Sequence, residues 1–321
     1  GKLREIYDGA IRRIDEMTAL LQAPLAGRPV SAGRKDRDRK ASLPFRSDMA
    51  PETYRAMVRT AREYIAAGDI IQVVLSQRFQ RESAANPVDL YRALRHVNPS
   101  PYMFFLKLES LHLIGSSPEV MVRTEEGVAE LKPIAGTRRR GKNEQEDRRL
   151  ADELLNDPKE LAEHVMLVDL GRNDLGRIAR IGSVQVRQLM AVERYSHVMH
   201  LVSDIQAQLA PGKDCFDVLK ATFPAGTLTG APKVRAMEII AELEPSRRGP
   251  YGGAVGYFSY GGNMDFCITI RTMLLKDGKV FLQAGAGIVA DSDPETEYRE
   301  TLSKAEGMVQ AVRLAENGFD L

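Results

Sequence analysis

The sequence predicts an α+β fold in which large antiparallel β-sheets pack against helices. Strand-like segments follow one another in runs, whereas a fold with a parallel sheet alternates single strands with helices. In the last third of the chain, the segments GGAVGYFSY, DFCITIRTMLL and KVFLQAGAGIVA are separated only by short GGN and DG turns. Because turns of this length join antiparallel neighbours, we expect the three segments to form a meander.

The individual elements follow from hydrophobic spacing and turn residues. Residues 1–22 carry apolar side chains at helical spacing and predict an amphipathic helix. The basic segment 24–47 predicts a solvated connecting loop. Further helices are predicted over about 51–67, 88–97, 144–170 (broken at Asp157-Pro158), 214–222, 232–242 and 294–316. Further strands are predicted over 70–80, 102–109, 111–117, 120–136 (a hairpin around Glu126-Gly127) and 183–209.

The composition argues against several classes of protein. Lys and Arg number 45 against 44 Asp and Glu, a balance that argues against a nucleic-acid partner. No apolar run approaches the length of about 18 residues that spans a membrane, and GKLREIYDGA does not resemble a signal peptide. Cys215 and Cys267 belong to no CxxC pair and are expected to be reduced thiols. We therefore expect a cytoplasmic enzyme without a membrane partner.

Two pairs of glutamates suggest a cation site. Glu160 and Glu163 are three residues apart, so both carboxylates lie on one face of a predicted helix. Glu160 also fits a capping box opened by Asp157-Pro158, and the residues leave both roles open.

Glu297 and Glu300 repeat this spacing behind Pro294. The alternative is an exposed helix face on which Glu300 pairs with Lys304. If the two helices converge, their carboxylates form an oxygen-only site, which suits Mg²⁺ better than Zn²⁺.

Glycine-rich segments and one arginine suggest an anionic ligand. Residues 226–233 (GTLTGAPK) lead into a helix N-terminus, where N–H groups attract anions, but they lack the spacing of a nucleoside-triphosphate loop. Small residues over 284–290 let a ligand approach the backbone closely. Arg271, in the predicted strand DFCITIRTMLL, would need a substrate carboxylate or a structural salt bridge, since it shares a face with Cys267, Thr269, Met273 and Leu275.

These motifs together resemble those of the chorismate-utilising enzymes. The resemblance rests on KPIAGTRRRG, DPKELAEHVMLVDLGRNDLGR, RYSHVMHLV, GTLTGAPKVRAMEII, YGGAVGYFSY, CITIRTML and QAGAGIVADSDPETEYRET, and it extends from about residue 48 onward. It implies large antiparallel sheets with a chorismate site between them. It also implies that residues 48–321 form the chorismate-binding catalytic domain and that residues 1–47 are the remnant of a longer N-terminal segment.

The resemblance implies a role for each candidate residue. The glutamates resemble a Mg²⁺ site that neutralises the ring carboxylate of chorismate, with Glu163 and Glu300 as the most direct ligands beside Glu160 and Glu297. Glu119 matches the acid that protonates the departing C4 hydroxyl. His200, otherwise typical of a core histidine, matches the histidine associated with proton handling and loss of pyruvate.

The resemblance also implies how chorismate is held. Arg271 and Tyr251 resemble the residues that bind the enolpyruvyl carboxylate. The remaining contacts that it implies are Gly136, Thr137, Thr227, Gly285, Ala286, Gly287 and Lys304.

Two positions narrow the reaction within the family. Gln72 stands where isochorismate and salicylate synthases carry a lysine that activates water, and glutamine is no general base. Ala135 stands where aminodeoxychorismate synthases typically carry a lysine nucleophile, and alanine forms no covalent adduct. The resemblance then implies attack of ammonia on chorismate to give anthranilate and pyruvate, with ammonia supplied by a glutamine amidotransferase subunit. The alternatives are a 2-amino-2-deoxyisochorismate synthase, an aminodeoxychorismate synthase or an inactive regulatory homologue.

The segment 98–105 (NPSPYMFF) resembles half of a tryptophan feedback site, with Pro101, Tyr102 and Met103 as contacts. Taken alone, the same residues predict a strand start behind a proline-stiffened turn. The other half, a serine-containing motif on the N-terminal segment, is absent from these 321 residues.

We expect that this chain alone neither binds tryptophan tightly nor responds to it. An effector that is held from two sides loses most of its binding energy when one side is missing, and an allosteric ligand acts only through differential affinity. Calorimetric titration with tryptophan tests this expectation, and micromolar binding would contradict it.

Overall fold

The computed structural model describes residues 1–23, 44–195 and 198–319, and it confirms an α+β fold with antiparallel sheets. The helices of this part of the chain are α1 Lys2–Gln22, α2 Pro51–Ala66, α3 Pro87–Val97, α4 Glu144–Leu155, α5 Pro158–Gly176, α6 Cys215–Thr222, α7 Gly226–Thr229, α8 Lys233–Leu243 and α9 Pro294–Glu316. The strands are β1 Arg46–Ser47, β2 Gln72–Glu82, β3 Tyr102–Leu108, β4 Leu111–Ser117, β5 Val120–Glu125, β6 Val128–Leu131, β7 Ile134–Arg139, β8 Gln185–Arg194, β9 Val198–Gln208, β10 Gly230–Ala231, β11 Ala254–Phe258, β12 Met264–Ile268, β13 Thr272–Lys276 and β14 Lys279–Ile288.

The first sheet has the strand order β1-β2-β14-β13-β4-β3, with the short β10 also paired to β2. Helices α2, α3, α8 and α9 pack against it. Alternate residues of β14, such as Leu282 and Ala286, are buried beneath these helices together with Leu94, Met308 and Ile239. The opposite face of β14 is therefore left for the candidate site.

The second sheet has the order β11-β12-β5-β6-β9-β7, and β8 pairs with β9. Helices α4, α5 and α6 pack against it. Its core contains Val122, Ile205 and Ile268 from the strands and Val168 and Leu175 from α5.

The predicted antiparallel pairing across the GGN and DG turns is confirmed, but the continuous meander is wrong, because DFCITIRTMLL is two strands in different sheets. Strand β12 pairs with β11 and β5 in the second sheet, whereas β13 pairs with β14 and β4 in the first. Arg271 lies between them with φ of 50°, outside any strand, so the predicted face that it shares with its neighbours does not exist. Strand-forming residues continue on both sides of Arg271, and no glycine or proline marks the crossing in the sequence.

Helix α5 runs six residues beyond its predicted end at Leu170. Its glycines argue against continuation, because glycine destabilises a helix by about 1 kcal/mol relative to alanine. Packing explains Gly171: a Cβ there would lie 2.8 Å from Cδ1 of Ile205 on β9, so only glycine lets the helix approach the sheet this closely.

The N-terminal helix α1 is confirmed, but none of its residues is buried. Residues 24–43 of the predicted loop lie outside the described residues, and the end of that segment forms β1, which pairs with β2. The domain boundary at residue 47 stays a prediction. Across residues 1–23, 44–195 and 198–319, no helix is long and apolar enough to cross a membrane.

Candidate active site

Strands β2 and β14 bring the first group of candidate residues together with α5. The side-chain amide Nε2 of Gln72 lies 3.5 Å from Oε1 of Glu163. A Cβ at Gly287 would be 2.7 Å from that amide nitrogen and 3.8 Å from the Glu163 oxygen. Glycine at this position therefore lets a helix carboxylate and a strand amide meet over the sheet. The amide oxygen of Gln72 is buried and has no hydrogen-bond partner among the described residues.

Glu160 bonds to an arginine that the sequence analysis did not single out. Arg138 Nη1 donates to Glu160 Oε1 at 3.0 Å, and Arg138 Nη2 donates to Asp157 at 2.7 Å. Asp157 caps α5 by accepting from the N–H groups of Lys159 and Glu160, as the capping pattern predicts. The Glu160 carboxylate does not complete a capping box, because it faces Arg138 and the backbone of Gly136. Arg138 belongs to the run TRRRG, in which the sequence marks no one arginine.

The second carboxylate pair lies in the first turns of α9. Glu297 is 5% exposed, so the interpretation of an exposed helix face does not hold for it. Glu300 is partly exposed and pairs with Lys304, whose Nζ is 2.6 Å from Glu300 Oε1, as the alternative predicts. Lys304 Nζ also donates to the Gly285 carbonyl at 3.1 Å. The lysine thus links α9 to the glycine-rich part of β14.

Mutual repulsion shows that the two carboxylate pairs are near one another. Burial raises the pKa of Glu163, and the charges of Glu160 and Glu300 raise it further. Burial also raises the pKa of Glu297, with Glu300 again adding to the effect. Lys304 opposes these shifts in both residues. The four carboxylates therefore form one negatively charged region that extends over α5 and α9.

This region suits a hard cation in its chemistry, because it offers carboxylate oxygens and is short of positive charge. Among the residues that the structure describes, no three His, Cys, Asp or Glu side chains lie close enough together to hold one ion. Binding a single Mg²⁺ would thus require glutamate side chains to turn toward each other, and the Mg²⁺ site stays a prediction.

Glu119 lies where the chain passes from β4 to β5. Burial raises the pKa of its carboxyl to about 7, while the Thr227 hydroxyl and the charge of Lys304 oppose the rise. The Thr227 hydroxyl is itself buried and makes no hydrogen bond of ordinary geometry within the described part of the chain. The Glu119 residue is partly exposed, so a ligand can reach it. A carboxyl with this pKa can donate a proton near neutral pH.

His200 on β9 has a defined tautomer. Its Nδ1 is 3.0 Å from the Gly136 carbonyl oxygen and 3.0 Å from the Thr137 hydroxyl. A carbonyl only accepts hydrogen bonds, so Nδ1 carries the proton and Nε2 has a free lone pair. Burial lowers the pKa of His200, with Arg271 adding to the effect, which favours the neutral ring. His200 can therefore accept a proton at Nε2. His164, by contrast, is fully buried against Ser203 and is structural.

Arg271 and Tyr251 both face the glycine-rich segment of β14. Arg271 Nη1 donates to the Lys304 carbonyl, and burial lowers the pKa of its guanidinium. Within residues 1–23, 44–195 and 198–319 it forms no ion pair, so nothing there supports the salt-bridge alternative. Burial raises the pKa of Tyr251 to about 12, and its Oη is 3.0 Å from the point where a Cβ of Gly285 would lie.

The structure brings most of the predicted residues together but not all. Ala286 packs its side chain into the core beneath α2 and α8, so only its backbone is available to a ligand. The tryptophan-related residues Pro101, Tyr102 and Met103 lie at the start of the edge strand β3. Tyr102 donates its hydroxyl proton to Asp265 at 2.8 Å and so links the two sheets.

Comparison with known proteins shows which family the chain belongs to. The family model described as "chorismate binding enzyme" matches residues 4–310. The chain therefore belongs to the chorismate binding enzyme family.

Similar proteins within the family share one name. The chain is 59% identical over 272 residues to "Anthranilate synthase component 1" of Aquifex aeolicus, a match that covers 85% of this chain and 55% of the relative. It is 50% identical over 324 residues to the protein of the same name from Acinetobacter calcoaceticus, covering 99% of this chain and 63% of the relative. The chain thus spans between half and two thirds of the length of these relatives.

Solved structures show the same likeness. Anthranilate synthase component I from Streptococcus pneumoniae superposes with a TM-score of 0.84 at 45% identity and covers 94% of this chain and 66% of its own. MenF, the menaquinone-specific isochorismate synthase from Escherichia coli, superposes with a TM-score of 0.78 at 27% identity, covering 85% and 63%.

The pKa of Glu119 predicts a pH-dependent change of stability in Glu119→Gln. The carboxyl has a pKa of about 7 when folded and about 4.5 when unfolded, so its buried charge destabilises the fold increasingly as the pH rises from 4.5 to 7. Glutamine removes this cost. We expect the melting temperature of Glu119→Gln to exceed that of the parent chain by at least about 2 °C at pH 8 and to match it at pH 4.5.

Scanning calorimetry at both pH values measures the effect. The exposed Glu63 on α2 is the control, and Glu63→Gln should show no such difference between the two pH values. Equal melting temperatures for the parent chain and Glu119→Gln at pH 8 would show that Glu119 titrates normally.

Proposed function

We propose that this chain carries the chorismate-converting activity of an anthranilate synthase. It combines chorismate with ammonia and releases anthranilate, pyruvate and water. Relatives at 50–59% identity carry this name over most of the chain, which supports the proposal. The choice of reaction rests on Gln72, whose side-chain amide lies beside Glu163. An enzyme that activates water needs a general base at this position, and an amide cannot act as one. Ammonia needs no such base, because it arrives as a nucleophile.

Glu119 supplies the proton for the first half of the reaction. Ammonia forms a bond to C2 of the ring, the double bonds shift, and the C4 hydroxyl leaves as water with the proton of Glu119. A pKa raised to about 7 keeps a substantial fraction of this carboxyl protonated at neutral pH. The neighbouring Lys304 stabilises the carboxylate that remains after proton transfer.

His200 fits the second half, in which the C2 proton is removed and the enolpyruvyl group leaves as pyruvate while the ring becomes aromatic. Its Nε2 lone pair is the acceptor that the Nδ1 tautomer leaves free. The Gly136 carbonyl stabilises the charged ring after proton uptake, since it raises the pKa of His200. The enolpyruvyl group leaves as the enolate of pyruvate, which takes up one proton at its methylene carbon. The ammonium group formed by the attack of ammonia gives up one proton, which completes the balance of atoms.

Arg271 and Tyr251 fit the binding of the enolpyruvyl carboxylate. A buried guanidinium without an ion pair in the described chain is costly, and a bidentate carboxylate removes that cost. The Tyr251 hydroxyl stays protonated at a pKa of about 12 and can donate to the same anion. Glycine at position 285 lets this hydroxyl lie against the backbone of β14, where a Cβ would be 3.0 Å from it.

The carboxylates of Glu160, Glu163, Glu297 and Glu300 would hold a Mg²⁺ ion once their side chains turn toward one another, because they offer the oxygen ligands that Mg²⁺ prefers. When bound, the ion would supply positive charge for the ring carboxylate of chorismate. Arg138 orients Glu160, and Gln72 orients Glu163, through the hydrogen bonds described above. Lys304 balances part of the negative charge from Glu300.

We further propose that the chain works with a glutamine amidotransferase subunit that supplies ammonia, and that it acts in the cytoplasm. The relatives are named as component 1, which supports a second component. Both statements follow from the proposed reaction.

The first prediction of this proposal concerns the metal ligands. Glu163→Gln and Glu300→Gln should each lower kcat with chorismate, Mg²⁺ and ammonium by at least about 100-fold, because an amide removes a ligand charge. Titration calorimetry should show weakened Mg²⁺ binding in both variants. Glu306→Gln, on the same helix α9 but beyond the cluster, is the control and should retain activity. Near-normal turnover in both ligand variants would refute the metal assignment.

The second prediction concerns the nucleophile and the product. With chorismate, Mg²⁺ and an ammonium salt, the chain alone should form anthranilate, identified by its mass and fluorescence. The rate should rise with pH in proportion to free ammonia until Glu119 loses its proton. An accumulating product of aminodeoxyisochorismate mass would instead identify the reaction that stops before pyruvate leaves.

Glutamine provides the complementary test. The chain alone should make no product from glutamine until the amidotransferase subunit is added, and intact-protein mass spectra during turnover should show no covalent adduct. Glutamine-dependent product from the chain alone would contradict the proposed partner.

A further inference from the structure

We propose that Arg248, held by Glu244, is a positioning residue that sets the substrate-facing geometry of Tyr251, β2 and α7. The inference rests on the proposed function, in which Tyr251 binds the substrate carboxylate. Arg248 and Glu244 are not among the candidate residues described above, and no sequence motif singles them out. The two residues are four apart, but α8 ends at Leu243. The spacing therefore does not place them on one helix face and does not predict an ion pair.

Arg248 and Glu244 form a buried bidentate ion pair. Arg248 Nε donates to Glu244 Oε2 at 2.9 Å, and Arg248 Nη2 donates to Glu244 Oε1 at 2.6 Å. The two side chains are 16% and 4% exposed. A hydrophobic pair of similar volume would often stabilise such a position as well or better, so stability alone gives a weak reason for this arrangement.

The remaining donors of Arg248 bind the backbone of two elements that line the site. Nη1 donates to the Leu228 carbonyl and Nη2 to the Val74 carbonyl, each at 2.6 Å. Leu228 follows Thr227, whose hydroxyl interacts with Glu119. Val74 lies opposite Gly287 in the β2–β14 pairing. The planar guanidinium thus fixes the distance between α7 and β2.

Glu244 extends this hydrogen-bond network to Ser76, which lies two residues along β2 from Val74. Its Oε1 accepts from the Ser76 N–H and from the Ser76 hydroxyl, both at 2.8 Å. Gln283 Nε2 in turn donates to the Ser76 hydroxyl oxygen at 2.8 Å. Ser76 lies opposite Gly285, the residue that faces Tyr251.

The Arg248 side chain also contacts the aromatic ring of Tyr251 directly. The guanidinium carbon lies 5.6 Å from the ring centroid, a distance at which a cation and an aromatic face attract each other. Tyr251 is three residues along the chain, and its N–H donates to the Arg248 carbonyl at 3.2 Å. Side chain and backbone of Arg248 therefore both restrict where the Tyr251 hydroxyl points.

The test is Arg248→Met, which retains an apolar stem but removes every hydrogen bond of the side chain. In the ammonia-dependent reaction we expect the KM for chorismate to rise about tenfold or more with kcat within about threefold, the signature of lost substrate binding. Arg81→Met is the matched control, because Arg81 forms a similarly buried ion pair with Glu316 near the other end of β2, and neither residue is part of the candidate site. It should lower the melting temperature while leaving the KM unchanged.

A second readout does not depend on activity. In protein labelled with 3-fluorotyrosine, the ¹⁹F signal of Tyr251, assigned by its loss in Tyr251→Phe, should shift or broaden in Arg248→Met and stay in place in Arg81→Met. An unmoved signal, or a KM within twofold of the parent value, would overturn the positioning role. If the parent chain does not convert chorismate, the proposed function fails, and the ¹⁹F signal still decides whether Arg248 positions Tyr251.

If Arg248→Met does not fold, Glu244→Gln replaces it in both measurements. The glutamine side chain has one acceptor oxygen and no charge. It can accept a hydrogen bond from Arg248 or from Ser76, but it cannot hold both as the carboxylate does. We expect the same changes in KM and in the ¹⁹F signal with smaller amplitude, and their absence would overturn the proposal.

Discussion

The candidate site depends on the antiparallel pairing of β2 with β14. The two strands pair over ten residues, from Lys279 opposite Glu82 to Ile288 opposite Val73. Because side chains alternate along a strand, Leu282, Ala284, Ala286 and Ile288 enter the core, and Gln283, Gly285 and Gly287 face the other side. A one-residue slip would place bulky core residues where the glycines now admit Tyr251 and Gln72. The register of one strand pair therefore decides whether there is room for a ligand.

Charge balance at this surface depends on few cations. Lys304 pairs with Glu300 and partly offsets the rise that burial causes in the pKa of Glu119, Glu163 and Glu297. Arg138 donates hydrogen bonds to both Glu160 and Asp157, so its one positive charge is shared between two carboxylates. The carboxylates thus exceed the positive groups bonded to them in the described structure. This excess explains why mutual repulsion adds to the effect of burial in raising the pKa of Glu163 and Glu297, and why the region suits a cation.

The sequence predicts the fold class and most elements, because helices α2 and α9 begin at proline and strands β3 to β6 are bounded by clear turns. It also predicts the carboxylate pairs, since a three-residue spacing defines one helix face. It fails where tertiary contacts override local signals, as at Gly171, which packing against Ile205 keeps helical. It also misses Arg138 and the Arg248–Glu244 pair, because arginines are frequent in this chain. The acidic partners of Arg138 lie on another element, and the carbonyls that Arg248 reaches are distant in sequence. Spacing reveals which residues share an element, but it does not reveal which backbone carbonyls a buried guanidinium will reach.

The failure at DFCITIRTMLL concerns a feature that the proposed chemistry needs. The chain passes between the sheets twice in this region, from β4 to β5 around Glu119 and from β12 to β13 around Arg271. The two crossings are hydrogen-bonded to each other, since Ile268 N–H donates to the Glu119 carbonyl at 3.0 Å and Ser116 N–H donates to the Arg271 carbonyl at 3.1 Å. A regular strand would point Arg271 into one face of one sheet. The crossing, with its positive φ, instead places the arginine between the sheets and beside the segment that carries the proposed acid. The irregular backbone is thus what joins the carboxylate-binding group to the proton donor.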